Sequence, residues 1–148
     1  MKTTALIAAL QLLPLALAAQ AADAPKPAPA KMDSGVFVWD QLKFSPTRTG
    51  ARTMVFDAPT PTLDKFHLHI TTLNPGENTG ALHRHPQEEL VILKEGSVEV
   101  NIDGQLTTAT AGSMIFFAAN ANENMTNRGK VPATYYVIQF HTALTPKG

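Results

Sequence analysis

The stretch Pro75 to Gly96, PGENTGALHRHPQEELVILKEG, sets two histidines and a glutamate directly before a strand-like apolar run. His83 and His85 are two apart, so on an extended strand both imidazoles leave the same face and converge on one point, while Arg84 points away. Pro86 cannot donate to a ladder and ends or bends that strand. Glu89 opens the next run, Leu90 to Lys94, from which its carboxylate swings back to the same point. Two nitrogens and an oxygen suit a divalent first-row ion such as Mn, Fe, Co, Ni or Zn, with positions left for water or substrate. Glu88 falls on the opposite face of its run and is expected in solvent.

Working outward, Val98, Val100 and Ile102 alternate with Glu99 and Asn101, so one face of Ser97 to Ile102 is buried and the other wet. The Asp103-Gly104 pair that follows favours a type I′ turn, and Gln105 to Thr110 is expected to pair back as a hairpin. Further strands are expected at Arg52 to Asp57, Lys65 to Leu73, Ser113 to Ala118 and Ala133 to Thr142, which are rich in β-branched and aromatic residues. Several are apolar on both faces and need cover from two sides, as in a sandwich or squat barrel. Met114, Phe116, Phe117, Tyr135 and Val137 are accordingly assigned to the core. No long helix and no internal repeat is visible.

The order His83, one residue, His85, three residues, Glu89, six residues, Gly96 resembles the first motif of the cupin superfamily, with Pro75-Gly76 where that family has its turn. The loop from Gly76 to His83 is one residue longer than usual. In the second motif the intervals are kept while residues change: Gly112 and Asn127 match, Ala118 replaces proline, Asn120 replaces the turn glycine, and Glu123 replaces the fourth ligand histidine. The resemblance runs from Leu73 to His141 and implies an all-β, double-stranded β-helix or jelly-roll barrel. It also implies a metal held by His83, His85, Glu89 and the residue at 123. Glu123 has three readings: a metal ligand, a partner of a metal-bound water that leaves a two-histidine, one-carboxylate face, or a solvent-facing side chain. As a second carboxylate ligand it brings the charge of a divalent ion and its ligands to zero, which favours Mn or Fe over Ni or Zn.

The 148 residues, 44% of them hydrophobic, suffice for one domain, expected at 34–148. Lysine plus arginine number 12 and aspartate plus glutamate 12, so no field of one sign draws in nucleic acid or an anionic membrane. Without cysteine there is no disulfide framework, thiolate ligand or thiol nucleophile. Residues 1–21 place Lys2 ahead of an apolar run interrupted by Pro14 and end in Ala19, Gln20, Ala21, the pattern of a cleaved signal peptide rather than a span. Residues 22–33 are a Pro/Ala-rich spacer. A periplasmic or secreted protein with no membrane span after cleavage is expected.

Function is expected to lie with a small-molecule ligand at the metal. One reading is a metal-dependent enzyme, either an oxidoreductase of the dioxygenase kind or an isomerase- or aminohydrolase-like catalyst, with Glu123 as the catalytic group. The alternative is a non-catalytic ligand- or metal-binding cupin of the cell envelope, which the altered second motif favours. His67 and His69 share one strand face; His69 and His141 are the better candidates to approach the site, and Arg52 is a further candidate for substrate contact. Trp39 lies in the stretch that wraps a partner or lids the barrel in small cupins. A homodimer is what the resemblance implies, and the exposed strand edges of a small barrel supply a motive.

Overall fold

The computed structural model describes residues 29–146. The expected signal peptide, and the spacer up to residue 28, lie outside the described residues. Nine strands form: β1 (Ser45–Thr47), β2 (Gly50–Ala58), β3 (Lys65–Leu73), β4 (Glu88–Glu95), β5 (Ser97–Ile102), β6 (Gln105–Thr110), β7 (Met114–Phe117), β8 (Glu123–Thr126) and β9 (Ala133–His141). Among the described residues one 3₁₀ turn, Trp39–Gln41, precedes them. All pairings are antiparallel, in a six-stranded sheet ordered β1-β2-β3-β9-β4-β7 and a three-stranded sheet ordered β6-β5-β8. Leu93 and Tyr135 from the large sheet meet Val98, Val100 and Met125 from the small one in a single apolar interior. The two sheets thus close on each other as the expected jelly-roll barrel.

The hairpin forms where the alternation and the Asp-Gly pair place it. Asp103 and Gly104 both take positive φ, 50° and 90°, and the Asn101 side-chain oxygen accepts the Gly104 N–H at 2.9 Å. Gly96 closes the β4–β5 turn at φ 78°, where a Cβ would stand 2.6 Å from the Pro132 carbonyl oxygen. Asn127 is fully buried and its amide donates to the carbonyls of Leu73 (2.8 Å) and Val131 (2.9 Å). Its place in the second motif is therefore that of a clasp between β3 and the loop leading to β9.

Two features of the large sheet position the site. In β2 the register slips between Met54, opposite His69, and Phe56, opposite Leu68, so Val55 is an extra residue. Beyond this bulge Asp57 stands opposite His67, His67 opposite Gln139, Gln139 opposite Glu89, and Glu89 opposite Phe117. Directly paired residues share a face, so one row across five strands gathers an aspartate, a histidine, a glutamine and a glutamate at one end of the barrel.

Three expectations are corrected. His83 and His85 lie outside any regular strand: His83 makes one isolated bridge with Glu123, and Asn120 N–H donates to His85 O at 2.7 Å. Strand β8 was not anticipated, because its inward residues are Glu123 and Met125, and a carboxylate breaks the apolar alternation. Met114 and Phe116 are not core: they are 75% and 59% exposed on the outer side of edge strand β7, while their neighbours Ile115 and Phe117 face inward and are buried.

Candidate metal site

The histidine loop is held against β8 by a reciprocal backbone pair, His83 N–H to Glu123 O (3.1 Å) and Glu123 N–H to His83 O (2.9 Å). This brings three side chains from two separate segments to one point without needing a strand at 83–85. His83 Nδ1 lies 3.0 Å from the Ala81 carbonyl, which only accepts, so the proton of the neutral ring sits on Nδ1 and Nε2 presents a lone pair. That Nε2 is 3.2 Å from His85 Nε2. Glu123 Oε1 lies 3.4 Å from His85 Nε2 and 3.8 Å from His83 Nε2. One donor atom from each of His83, His85 and Glu123 falls within 4.8 Å of the others. Glu123 is only 3% exposed, so the solvent-facing reading does not match its placement.

Glu89 stands one step back in β4. Its Oε2 is 3.8 Å from His85 Nε2 and accepts a short 2.6 Å hydrogen bond from the Gln139 amide. Burial, and next the charge of Glu89, push the Glu123 carboxyl up to about 8. Burial also lowers His85, an effect Glu89 opposes and His83 reinforces. Glu123 Oε2 is buried without a hydrogen-bond partner among the described residues. Two imidazole Nε2 atoms brought together at 3.2 Å beside a carboxylate with an orphaned oxygen are a fitting donor set for a divalent cation.

The cluster opens on a cavity of about 430 Å³, the size of a small-molecule site. Phe117, Tyr135 and Val137 form its apolar wall. Arg52, His67 and His69 line it from β2 and β3. Arg52 Nη2 is 3.0 Å from His69 Nδ1, His67 Nε2 is 2.8 Å from the same nitrogen, and His67 Nδ1 is 3.0 Å from Asp57 Oδ1. His141 does not line the cavity; it ends β9 opposite Lys65, half-buried, beyond the polar row. Trp39 packs on Phe44 and Tyr136 with Lys94 above its ring, away from the cavity. Glu88 is exposed, as expected. Asp57 and Gln139 escaped sequence reasoning, since only the cross-strand register brings them to His67 and Glu89.

Residues 69–139 match the family model Cupin_2, described as "Cupin domain". No curated protein matches the chain. Solved structures similar to it include an RmlC-like cupin from Shewanella frigidimarina, 16% identical with a TM-score of 0.61, covering 77% of this chain and 96% of that one. The structure of KdgF from Halomonas sp. is 13% identical with a TM-score of 0.62, covering 75% and 97%. A protein described as a sugar phosphate isomerase from a cupin superfamily, from Silicibacter pomeroyi, is 21% identical with a TM-score of 0.56, covering 73% and 76%. At these identities the structural likeness speaks for the fold alone. The family match over residues 69–139 and the His83-x-His85-x₃-Glu89 spacing show that this chain carries a small cupin-superfamily domain.

Proposed function

We propose that this chain is an exported metal-dependent enzyme, periplasmic or secreted, acting on a small organic substrate, with His83, His85, Glu89 and Glu123 as its metal ligands. The reading is carried by the meeting of both imidazole Nε2 atoms and Glu123 Oε1 at the end of a ligand-sized cavity, with Glu123 Oε2 left unpartnered. A divalent transition metal there, Mn or Fe by preference, supplies Lewis-acid polarisation of a substrate oxygen, or dioxygen activation in the oxidoreductase case. The Ala81 carbonyl fixes the His83 tautomer by accepting a hydrogen bond from its Nδ1–H, and Gln139 holds the Glu89 carboxylate in place. Glu123 is assigned the proton-handling role, its free Oε2 being the atom that gives and takes the proton.

Isomerisation is a reaction class to include, since one structural neighbour carries an isomerase name. The proposal includes a homodimer, supported by the exposed apolar side chains Met114 and Phe116 beside the edge of the large sheet. Among the described residues no helix is long and apolar enough to cross a membrane. The second reading, a ligand- or metal-holding cupin without turnover, is favoured by one observation, the glutamate standing where the second motif has its histidine. Elemental analysis of protein purified without a histidine tag separates the cases. About one equivalent of a transition metal is expected in wild type and well below that in His83→Ala and Glu123→Ala; a metal-free wild type sinks the enzyme reading. With metal present, oxygen uptake against catechols, flavonols, thiols and keto acids tests the oxygenase branch.

A further inference from the structure

Among the described residues Arg52 is the one lysine or arginine that lines the cavity. Among the described residues no carboxylate lies within ion-pair distance of it, whereas Arg48 and Arg128 each have one. Its single side-chain hydrogen bond reaches His69 Nδ1. A guanidinium only donates, so that nitrogen is an acceptor and the proton of a neutral His69 sits on Nε2. Burial first, and then the charge of Arg52, hold His69 down to about 3, which keeps the ring neutral at ordinary pH.

His67 Nε2 approaches His69 Nδ1 at 2.8 Å, and His67 Nδ1 donates to the Asp57 carboxylate at 3.0 Å. Burial alone would raise Asp57, but the His67 hydrogen bond and the Lys65 charge outweigh it and hold the carboxyl below its usual range. Asp57 and His67 thus lock His69 from behind. This wall of the cavity is left with a surplus of N–H groups: the remaining guanidinium protons of Arg52 and Nε2–H of His69. Nothing neutral satisfies such a corner as well as an oxyanion does. The same cavity also holds the Glu89 and Glu123 carboxyls, which by themselves repel an anion.

We infer that Arg52 and His69 form an anion-recognition subsite that holds a carboxylate or phosphate group of the substrate while the rest of the molecule reaches the His83–His85–Glu123 cluster. Asp57 and His67 are positioning residues for it. This deepens the proposed function by naming the substrate class, and it rests on that reading only for what happens at the metal end.

The test titrates pyruvate, its neutral amide pyruvamide, and inorganic phosphate into the protein with and without added Zn²⁺, a diamagnetic ion suited to the same donors, following the ¹⁵N imidazole resonances of His69. Saturable shifts are expected with pyruvate or phosphate, at concentrations about tenfold below those needed with pyruvamide. The more tightly held anion tells a carboxylic acid from a phosphate ester. Arg52→Gln is expected to weaken anion binding at least about tenfold and Arg52→Lys to restore part of it, with metal content unchanged in both. An Arg52→Gln protein that binds the anions as wild type does, or pyruvamide binding as tightly as both anions, overturns the subsite. Anion binding in a protein that never takes up metal overturns the metal reading alone. For the positioning pair, Asp57→Asn is expected to abolish the protonated Nδ1 signal of His67 and to weaken anion binding; an unchanged signal and affinity overturn that role.

Discussion

Strands β3, β9 and β4 run through two regions of opposite chemistry. At one end their inner side chains are Leu73, Ala133 and Leu93, each about 1% exposed or less. At the other end, three inward positions along β3, the same strands present His67, Gln139 and Glu89. The first region meets the small sheet in dry contact; the second meets β8 through a carboxylate and two imidazoles. Apolar packing scales with area and admits a polar group only where it is hydrogen-bonded, as Asn127 is, so it holds the sheets together. The other end gathers buried titratable groups that destabilise the fold when no ion is bound. A strained site is affordable because the opposite end of the same strands fixes the register.

The comparison makes ordered predictions. Leu93→Ala strikes the dry end and is expected to cost about 2–5 kcal/mol by denaturant melts while leaving metal uptake intact below the transition. Equal losses of stability and metal uptake would erase the division. Asn127→Ala removes the clasp from two buried carbonyls and is expected to cost about 1–3 kcal/mol; a change under 0.5 kcal/mol in the same melt would show that water replaces the clasp.

Glu123→Gln strikes the wet end and is expected to do the reverse. Its carboxyl is raised from an ordinary 4.5 to about 8, so the folded chain keeps a proton that the unfolded chain releases. The contribution of Glu123 is therefore fully present below about 4.5 and is lost as pH rises through 8. Metal-free wild type is expected to lose on the order of 1–2 kcal/mol between pH 6.5 and 8.5 from this group, and Glu123→Gln to lose less. Parallel pH profiles for the two proteins would break the prediction. The window avoids the acid limb, where His69, depressed to about 3, removes stability as pH falls below its ordinary 6.5. Smallest of all, Arg128→Ala cuts an exposed ion pair to Glu99 at 3.1 Å, outside both regions, and is expected to shift stability by no more than about 0.5 kcal/mol.

How much of this was legible in the sequence follows from the same division. The hairpin around Asp103-Gly104 was readable because its signals are local: strict alternation, then a pair suited to positive φ. Strands β3, β5 and β6 have the bounds that their residues suggest. The histidines and Glu89 were legible through spacing, although a loop rather than a strand delivers the imidazoles. Glu123 could not be oriented, since its direction depends on a bridge to His83 forty residues away. The Asp57–His67–Gln139–Glu89 row depends on three non-local registers and one bulge, none encoded in a short window. Met114 and Phe116 misled because an apolar residue on an outer face looks the same in sequence as one on an inner face.

The slip at Val55 has a consequence for how such a site is inherited. Arg52 and Asp57 are five residues apart, an odd interval that sends two side chains of an unbroken strand to opposite sides, yet here both serve the ligand chamber. An unbroken ladder carrying the same residues would set Phe56 opposite His67 and turn the aspartate outward, whereas a chain lacking Val55 would lose the slip and keep Asp57 opposite His67. The extra residue is thus what reconciles an odd spacing with one shared face, and a homologue one residue shorter there would keep the same two side chains on that face through an even spacing.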